Sequence, residues 1–268
     1  MAPASTNRDF IKMHGLGNDF IVFDARAQLL TLTAAQVVAL ADRHTGIGCD
    51  QLIVVEPSDR ADAFMRIWNA DGSPAEACGN AARCVATLLG PAAAIDSDGG
   101  LLDTAAAGGG VSVTYPPPRF DWDAVPLAYP LDTADIPVAW DELSHGVALS
   151  VGNPHIVFVV PDAAAVPLAT LGPRIETDAL FPARVNVGVA QVVDRRHLIL
   201  HVWERGAGLT RACGTGAMAA AVAAMRRRLV DPIATVTLPG GALSIEWHGA
   251  EIVLRGPAVT SFTGSVAL

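Results

Sequence analysis

The sequence predicts an α+β protein with two pseudo-symmetric halves, each a curved, mostly antiparallel sheet wrapped around one central helix. Two observations lead to this prediction. First, the chain of 268 residues matches itself when it is shifted by 135 positions, close to half its length. Second, each half contains an almost uncharged helix after a cysteine, between strand-like segments rich in Val, Ile and Phe. A helix that is apolar on all sides is a buried helix, so the strands of each half must surround it.

The internal repeat is marked by one short phrase that occurs twice. The residues that recur at the same spacing pair Ala77-Cys78-Gly79 with Ala212-Cys213-Gly214, Gly17-Asn18 with Gly152-Asn153, Trp68 with Trp203, and Gln51 with Asn186. Because no gap is needed from Gly17 to Gly79, the chain is a tandem duplication of one half-length domain. Equivalent residues of such halves can face each other across a pseudo-twofold axis. The two cysteines are therefore candidates for opposite walls of one cleft.

Strand and helix signals follow the same order in both halves. In the first half, strands are predicted around a Gly/Asn turn within 10–24, over 51–55 and over 63–68, with helices over 34–42 and from Cys78 or Gly79 to Gly90. In the second half, strands are predicted within 149–160 and over 186–193, 197–203, 235–238, 242–248 and 251–255, with a short helical stretch within 162–178 that Pro167 and Pro173 break and a long helix over 214–229.

The domain boundary is predicted at a run of three prolines. Pro116-Pro117-Pro118 is the strongest linker signal in the chain. We therefore expect a first half over residues 1–118, completed by a final strand over 258–268, and a second half over residues 119–257. The active site is predicted to lie in the cleft between them.

Composition excludes several classes of function. The net charge of −9 argues against nucleic acid and anionic membranes as partners. No apolar run reaches the roughly 18 residues of a membrane-spanning helix, and the N-terminal residues show no apolar leader. Four cysteines in a chain of this length then indicate reduced thiols. We expect a cytoplasmic protein.

The repeated cysteines suggest acid–base chemistry. Each is predicted at a helix N-terminus, where unpaired amides and the helix dipole would lower the pKa of the thiol. A single cysteine in an apolar context is more often structural, which is our interpretation of Cys49 and Cys84. Duplication at a helix start sets Cys78 and Cys213 apart. Two facing thiols could remove an α-proton from one side of a carbon and return a proton to the other, as racemisation or epimerisation requires.

The same helix starts indicate how such a reaction could proceed without a cofactor. Backbone N–H groups at Gly79-Asn80 and Gly214-Thr215 could bind a substrate carboxylate and stabilise the charge that develops beside it. Pyridoxal phosphate would need a Schiff-base lysine, and Lys12 is the only lysine in the chain. No Cys-x-x-Cys or paired-His spacing suggests a metal site. We expect neither a cofactor nor a metal.

Neutral polar side chains at matching loop positions predict a substrate-binding ring. They are Asn18, Gln51, Asn69, Asn153 and Asn186. Each alone is more often a turn residue, especially when it follows glycine. As a duplicated set they suit ammonium and carboxylate groups.

The repeat is broken at two places that could confer specificity. Glu204-Arg205 aligns with Asn69-Ala70, so only the second half carries a charge pair. Such an arginine could bind an extra carboxylate of the substrate, although a surface ion pair is the alternative. His155 aligns with Phe20 and could tune a thiol, or it could be structural.

Taken together, these motifs resemble the diaminopimelate epimerase family. The segments that carry the resemblance are His14–Phe20, Asn69–Ser73, Cys78–Asn80, Gly152–His155, Trp203–Gly208 and Arg211–Gly216. They occur in order over nearly the whole chain. The resemblance implies a diaminopimelate epimerase-like fold and a cofactor-independent conversion between LL- and meso-diaminopimelate, which serves lysine and peptidoglycan synthesis. It also implies a homodimer whose domains close on the substrate.

The resemblance implies a role for each motif residue. Cys78 and Cys213 would be the base and the acid, and His155 and Glu204 would support them. Substrate would be bound by Asn18, Gln51, Asn69, Asn153, Asn186, Glu204 and Arg205, with the amides of Gly79, Asn80, Gly214 and Thr215. Two residues depart from the family pattern: Ala81 stands where glycine is usual, and Leu209 replaces a polar residue.

Other interpretations remain open at the level of sequence. A proline-racemase-like enzyme would share the cysteine pair but lack the Glu204-Arg205 clamp, and isomerases of the phenazine-pathway type lack the cysteine pair. A thiol module without enzymatic activity, such as a redox sensor or a metal carrier, would leave the duplicated ring of amide side chains unexplained.

Overall fold

The computed structural model describes residues 7–76 and 78–268. Residues 1–6, where no apolar leader is expected, and Ala77 of the first Ala-Cys-Gly phrase lie outside the described residues. The two described ranges form seventeen strands and four helices. Within them, no helix is long and apolar enough to cross a membrane.

The chain divides into two units. The first ends at Val113 and is completed by Gly256–Leu268, and the second is Thr114–Arg255. The elements of the first unit are β1 (Asn7–Gly15), β2 (Asn18–Asp24), α1 (Ala34–Ala41), β3 (Gln51–Glu56), β4 (Ala63–Asn69), β5 (Pro74–Ala75), α2 (Gly79–Leu89), β6 (Ala92–Asp96), β7 (Leu102–Ala107), β8 (Gly110–Tyr115), which ends just past Val113, and β17 (Val259–Ala267).

The second unit follows the same plan. Its elements are β9 (Val147–Ser150), β10 (Pro154–Val160), α3 (Leu168–Glu176), β11 (Asn186–Asp194), β12 (His197–Glu204), β13 (Gly208–Thr210), α4 (Gly214–Arg226), β14 (Ile233–Leu238), β15 (Gly241–Trp247) and β16 (Ile252–Gly256), which ends at the return to the first unit.

Strand pairing within each unit is mostly antiparallel and repeats between the halves. In the first unit, β2 pairs in parallel with β3, β3 is antiparallel to β4, and β4 is antiparallel to β5 and parallel to β6. In the second unit, β10, β11, β12, β13 and β14 show the same sequence of parallel and antiparallel pairs. The predicted α+β class and the mostly antiparallel pairing are confirmed.

One nearly uncharged helix is buried in each unit, as its composition predicts. Nine consecutive residues of α4, from Gly216 to Ala224, are buried, and the helix contacts β9, β10, β11, β12, β14 and β15. In α2, Asn80 to Ala86 are buried, and the helix contacts β1, β2, β4, β6 and β7. The small alanine side chains allow the strands to approach closely. Because the surrounding strands hold each helix in place, they also fix the position of the cysteine that precedes it.

Two helices differ from their predicted extents. The last helix ends at Arg226 rather than near Leu229, because Arg228 adopts a left-handed conformation with φ of 60°. Pro173 lies inside α3 instead of breaking it. A proline there removes one backbone hydrogen bond, but α3 buries Leu171 and Ile175 in the core of the second unit.

Candidate active site

Each of the repeated cysteines is the N-cap of a buried helix. Cys78 precedes α2 and Cys213 precedes α4, and both have an extended backbone, with φ and ψ of −150° and 106° and of −131° and 108°. At this position the first amides of the helix have no partner within the helix. Each unit therefore presents a thiol at the start of a buried helix. The caps differ in one respect, since Cys213 Sγ accepts a helix amide and Cys78 makes no such side-chain cap bond.

The thiol of Cys213 is buried and surrounded by polar groups. The backbone N–H of Gly216 donates to Cys213 Sγ at 3.3 Å, and Thr215 Oγ1 lies 3.5 Å from the sulfur. Burial raises the pKa of Cys213 well above its usual range, and the neighbouring Glu204 carboxylate raises it further, against the lowering effect of Thr215 and Gly216. The expectation of a lowered pKa is wrong for Cys213. Desolvation outweighs the helix N-terminus, so this residue holds its proton.

Cys78 belongs to a cluster in the first unit. Its Sγ lies 3.9 Å from Asn18 Oδ1, which also accepts a hydrogen bond from Asn80 Nδ2 at 3.1 Å. Asn80 Oδ1 in turn accepts a hydrogen bond from Arg83 Nη2 at 2.7 Å. Arg83 is fully buried in α2 and also donates to Pro257 O at 3.2 Å. The amide of Asn18 is thus fixed beside the thiol by a buried arginine.

A charged network, which the sequence patterns do not predict, holds the Nδ2 end of the Asn18 side chain. Asn18 Nδ2 donates to Asp50 Oδ2 at 3.0 Å, and Arg43 bridges Asp50 and Asp19 with distances of 2.7 Å to each. Lys12 Nζ lies 2.5 Å from Asp19 Oδ2. Burial would raise the pKa of Asp19, but hydrogen bonds from Arg43 and Lys12 hold it well below its usual range. The signal available in the sequence was the single lysine, which is almost completely buried here.

Gln51 and Asn69 form a second polar pair in the first unit. They are directly opposite each other on the antiparallel strands β3 and β4. Gln51 Nε2 donates to Asn69 Oδ1 at 3.1 Å, and Asn69 Nδ2 donates to Ser73 Oγ at 3.1 Å. Both side chains are only partly buried, so they can still meet a ligand.

In the second unit, Asn153 connects His155 to the start of α4. Asn153 Nδ2 donates to Thr215 Oγ1 at 3.3 Å, and Asn153 Oδ1 lies 3.0 Å from His155 Nε2. An amide oxygen only accepts, so Nε2 carries the proton. Burial lowers the pKa of His155 to about 3, and the charge of Arg205 adds to this effect. The ring is neutral. It contacts Asn153, which in turn contacts Thr215 beside Cys213.

Asn186 uses both ends of its side chain to hold the backbone. Its Nδ2 donates to Pro154 O at 2.8 Å, and its Oδ1 accepts the backbone N–H of Arg205 at 2.9 Å. The residue is buried. This geometry makes Asn186 a support for the Glu204-Arg205 segment in this structure.

The two residues of the charge pair, Glu204 and Arg205, lie in different environments. Glu204 is a hydrogen-bonding neighbour of the Cys213 thiol, and it raises the pKa of that thiol. The guanidinium of Arg205 is exposed and donates from Nη1 to Ala183 O at 3.0 Å. Among the described residues, no ion pair joins Arg205 to Glu204, so the structure does not show the surface ion pair considered from the sequence. The exposed guanidinium can accommodate a carboxylate.

The remaining two cysteines are buried and structural in character. Burial raises the pKa of Cys49 to about 11 and that of Cys84 to about 12. In the described ranges, no group of three or more His, Cys, Asp or Glu side chains is arranged to hold a metal ion.

Comparison with known proteins identifies a family. The family model for diaminopimelate epimerase matches residues 10–108 and 147–261. The diaminopimelate epimerase of Rhizorhabdus wittichii is 61% identical over 261 residues, which cover 97% of this chain and 95% of the relative.

Solved structures with low sequence identity share the fold. A phenazine biosynthesis protein of the PhzF family from Enterococcus faecalis superposes with a TM-score of 0.74 at 14% identity, covering 98% of this chain and all of the other. A hydroxyproline epimerase from Agrobacterium vitis gives a TM-score of 0.66 at 17% identity, covering 98% and 91% of the two chains.

Proposed function

Because the chain belongs to the diaminopimelate epimerase family, we propose that it converts LL-2,6-diaminopimelate into meso-diaminopimelate without a cofactor. The observation that carries this proposal is the pair of cysteines, each at the N-cap of a buried helix. Cys78 lies beside the amide of Asn18, and Cys213 lies beside Thr215, which accepts a hydrogen bond from Asn153. Such a reaction would supply both lysine and peptidoglycan synthesis. The enzyme is an isomerase.

The two thiols would act as acid and base. A thiolate removes the α-proton of the substrate, and the protonated thiol delivers a proton to the opposite face of the same carbon, so that the configuration inverts. The environment of Cys213 favours the protonated form. From that state, Cys213 would be the acid and Cys78 the base. Each turnover moves one proton from Cys213 to the product and one from the substrate to Cys78, so the reverse reaction begins with the roles exchanged.

The helix N-termini would stabilise the carbanionic transition state. The free amides at Gly79-Asn80 and Gly214-Thr215 are suited to the carboxylate beside the reacting carbon. As the α-proton leaves, negative charge spreads into that carboxylate, and fixed N–H dipoles lower its energy at that moment. Such stabilisation would replace the electron sink that pyridoxal phosphate provides in other racemases.

The polar side chains of both units would orient the substrate. Those proposed to contact it are Asn18, Gln51, Asn69, Asn153, Asn186, Glu204 and Arg205. The exposed guanidinium of Arg205 would bind the distal carboxylate through charge-assisted hydrogen bonds. His155 would keep Asn153 in place, and Glu204 would keep Cys213 protonated until it donates.

The cellular setting is part of the proposal. We infer a cytoplasmic homodimer from the family resemblance. Three of the four cysteines are buried, which agrees with a reducing compartment.

The test is direct conversion of substrate. Purified protein, with no cofactor added, should convert LL- into meso-diaminopimelate until both isomers are present at equilibrium, as measured by chiral chromatography. L-Proline and trans-4-hydroxy-L-proline should not be epimerised, because neither has a distal carboxylate for Arg205. Activity on the cyclic amino acids without activity on diaminopimelate would contradict the proposal.

A further inference from the structure

A buried carboxylate at the end of α3 holds the residues on both sides of the charge pair. Glu176 is almost completely buried. Its Oε2 accepts a hydrogen bond from Trp203 Nε1 at 2.7 Å, and its Oε1 accepts one from the backbone N–H of Gly206 at 2.9 Å. Oε1 also pairs with Arg184 Nη1 at 3.5 Å. Trp203 and Gly206 bracket Glu204 and Arg205 in the chain. The side chain of Glu176 therefore forms hydrogen bonds with both ends of the Trp203–Gly206 loop.

The contact between α3 and this loop is close. A Cβ atom at Gly172 would lie 2.4 Å from the indole ring of Trp203, so only glycine permits this approach. The segment that follows α3 adds a third attachment, since Ala183 O accepts a hydrogen bond from Arg205 Nη1 at 3.0 Å. α3 and the residues after it thus form the platform on which the charged loop rests.

The first half of the chain provides an internal comparison. At the repeat spacing of 135 positions, Glu176 corresponds to Ala41 and Trp203 to Trp68. Trp68 Nε1 is buried and has no hydrogen-bond partner among the described atoms. The loop after Trp68 carries Asn69-Ala70 in place of the charge pair. The buried carboxylate and the charged loop occur together, in the second half.

We propose that Glu176 is a positioning residue that fixes the Trp203–Gly206 loop, so that Arg205 is held where it meets the distal carboxylate of the substrate. Glu176 touches neither substrate nor thiol; it acts through the loop. The inference rests on the proposed function. Within that site, Arg205 would select a substrate with a second carboxylate, and Glu176 would position Arg205. A carboxylate that accepts two N–H groups makes charge-assisted bonds, which are stronger than neutral ones.

The first experiment compares two substitutions of nearly equal chemistry. Glu176→Gln keeps the size of the side chain but removes the charge and turns one acceptor into a donor. Asp178→Asn is the matched control, because Asp178 Oδ2 accepts from Trp140 Nε1 at 2.9 Å and its Oδ1 accepts from the backbone N–H of Leu180 at 2.9 Å. Both carboxylates hold one indole and one backbone amide near the end of α3. The partners of Asp178 lie outside the charged loop, and Glu176 alone of the two also pairs with Arg184.

The two variants should separate positioning from stability. We expect Glu176→Gln to raise KM for diaminopimelate about tenfold to a hundredfold, as for the loss of a charged hydrogen bond, with a smaller change in kcat. Asp178→Asn should lower Tm to a similar degree and leave KM unchanged. Equal KM values in wild type and Glu176→Gln would overturn the proposal. A matching rise of KM in both variants would do so as well, because it would reflect general destabilisation.

A double-mutant cycle tests whether Glu176 acts through Arg205. In an Arg205→Leu background, Glu176→Gln should change KM by less than about threefold, because the group that it positions is gone. If the fold-change of KM in the double variant equals the product of the two single fold-changes, Glu176 acts independently of Arg205, which would contradict the proposal. If Glu176→Gln does not fold, Trp203→Phe removes one of the two bonds and should raise KM more than Trp68→Phe, whose indole N–H has no partner. Equal changes in these two would overturn the proposal.

Failure of the Glu176 proposal can be distinguished from failure of the proposed function. If the wild-type protein does not convert diaminopimelate, the function itself is wrong. If the wild type is active and Glu176→Gln has a normal KM, the proposed function stands and only the role of Glu176 is lost.

Discussion

His155 Nε2 donates a hydrogen bond to Asn153 Oδ1 across 3.0 Å, inside the second unit where His155 is fully buried. Asn153 in turn donates to Thr215 Oγ1, beside Cys213. The counterpart of His155 in the first half is Phe20. At this position of the repeat, the histidine therefore occurs in the second half alone, and its buried, neutral ring makes the stability of the protein depend on pH.

The first prediction concerns that pH dependence. Burial lowers the pKa of His155 to about 3 from the usual 6.5, so between these pH values the unfolded chain binds a proton that the folded chain does not. Stability therefore falls as pH is lowered through this window, by up to about 1.4 kcal/mol per pH unit. His155→Phe should reduce the loss of unfolding free energy between pH 7 and pH 4.5, measured by urea denaturation. The exposed His44→Phe is the control, and an unchanged loss in His155→Phe would contradict the burial argument.

The second prediction concerns the two thiols. Cys78→Ala and Cys213→Ala should each reduce epimerisation by at least about a thousandfold, because neither acid nor base has a substitute. Circular dichroism should show both variants folded. Cys84→Ala, on the same helix as Cys78 but buried in the core, should keep activity within about threefold of wild type. More than a tenth of wild-type activity in either of the first two variants would exclude the two-thiol mechanism.

Arg205 carries the third prediction, which concerns specificity. Arg205→Leu should weaken transition-state binding of diaminopimelate by roughly 1.5–3 kcal/mol, the scale of a charge-assisted hydrogen bond lost from a binding site. The ratio kcat/KM measures this loss. Arg195→Leu is the control, since Arg195 pairs with Asp231 at the surface. Unchanged kinetics in Arg205→Leu would place this guanidinium outside the substrate site.

The fourth prediction uses the influence of Glu204 on Cys213. The Glu204 carboxylate raises the pKa of Cys213 beyond the effect of burial. Glu204→Gln removes that charge, so the pKa of Cys213 should fall and the thiol should lose its proton at a lower pH. The alkaline limb of the kcat profile should therefore move to lower pH in the variant. A shift to higher pH would contradict the role of Glu204 in keeping Cys213 protonated.

Much of the fold could be predicted because its signals are local or repeated. The uncharged run from Gly214 to Met225 predicts a buried helix, and the structure buries it. The repeat predicts that pairing in one half recurs in the other, as β2–β3 and β10–β11 illustrate. Patterns of this kind depend on spacing along the chain, which the sequence displays directly.

Features that depend on distant residues could not be predicted. Arg43 meets Asp19 across 24 positions, and Glu176 meets Trp203 across 27. The pKa of Cys213 was expected to be lowered by its helix, but it is raised because the fold buries the thiol and brings Glu204 beside it. For Glu176, a signal was present: the repeat aligns it with Ala41, a position where only the second half has a charge.

The measurement that tests the central claim most directly is deuterium labelling during the first turnovers. LL-Diaminopimelate should be incubated with the wild-type protein in D₂O, and early samples of substrate and product should be analysed by mass spectrometry. With two thiols on opposite faces, the acid that delivers the proton has already exchanged with solvent. The meso product should then carry one deuterium at the inverted carbon, while the remaining substrate stays unlabelled. A meso product that keeps its original proton would mean that one base moves it between faces, and would contradict the account.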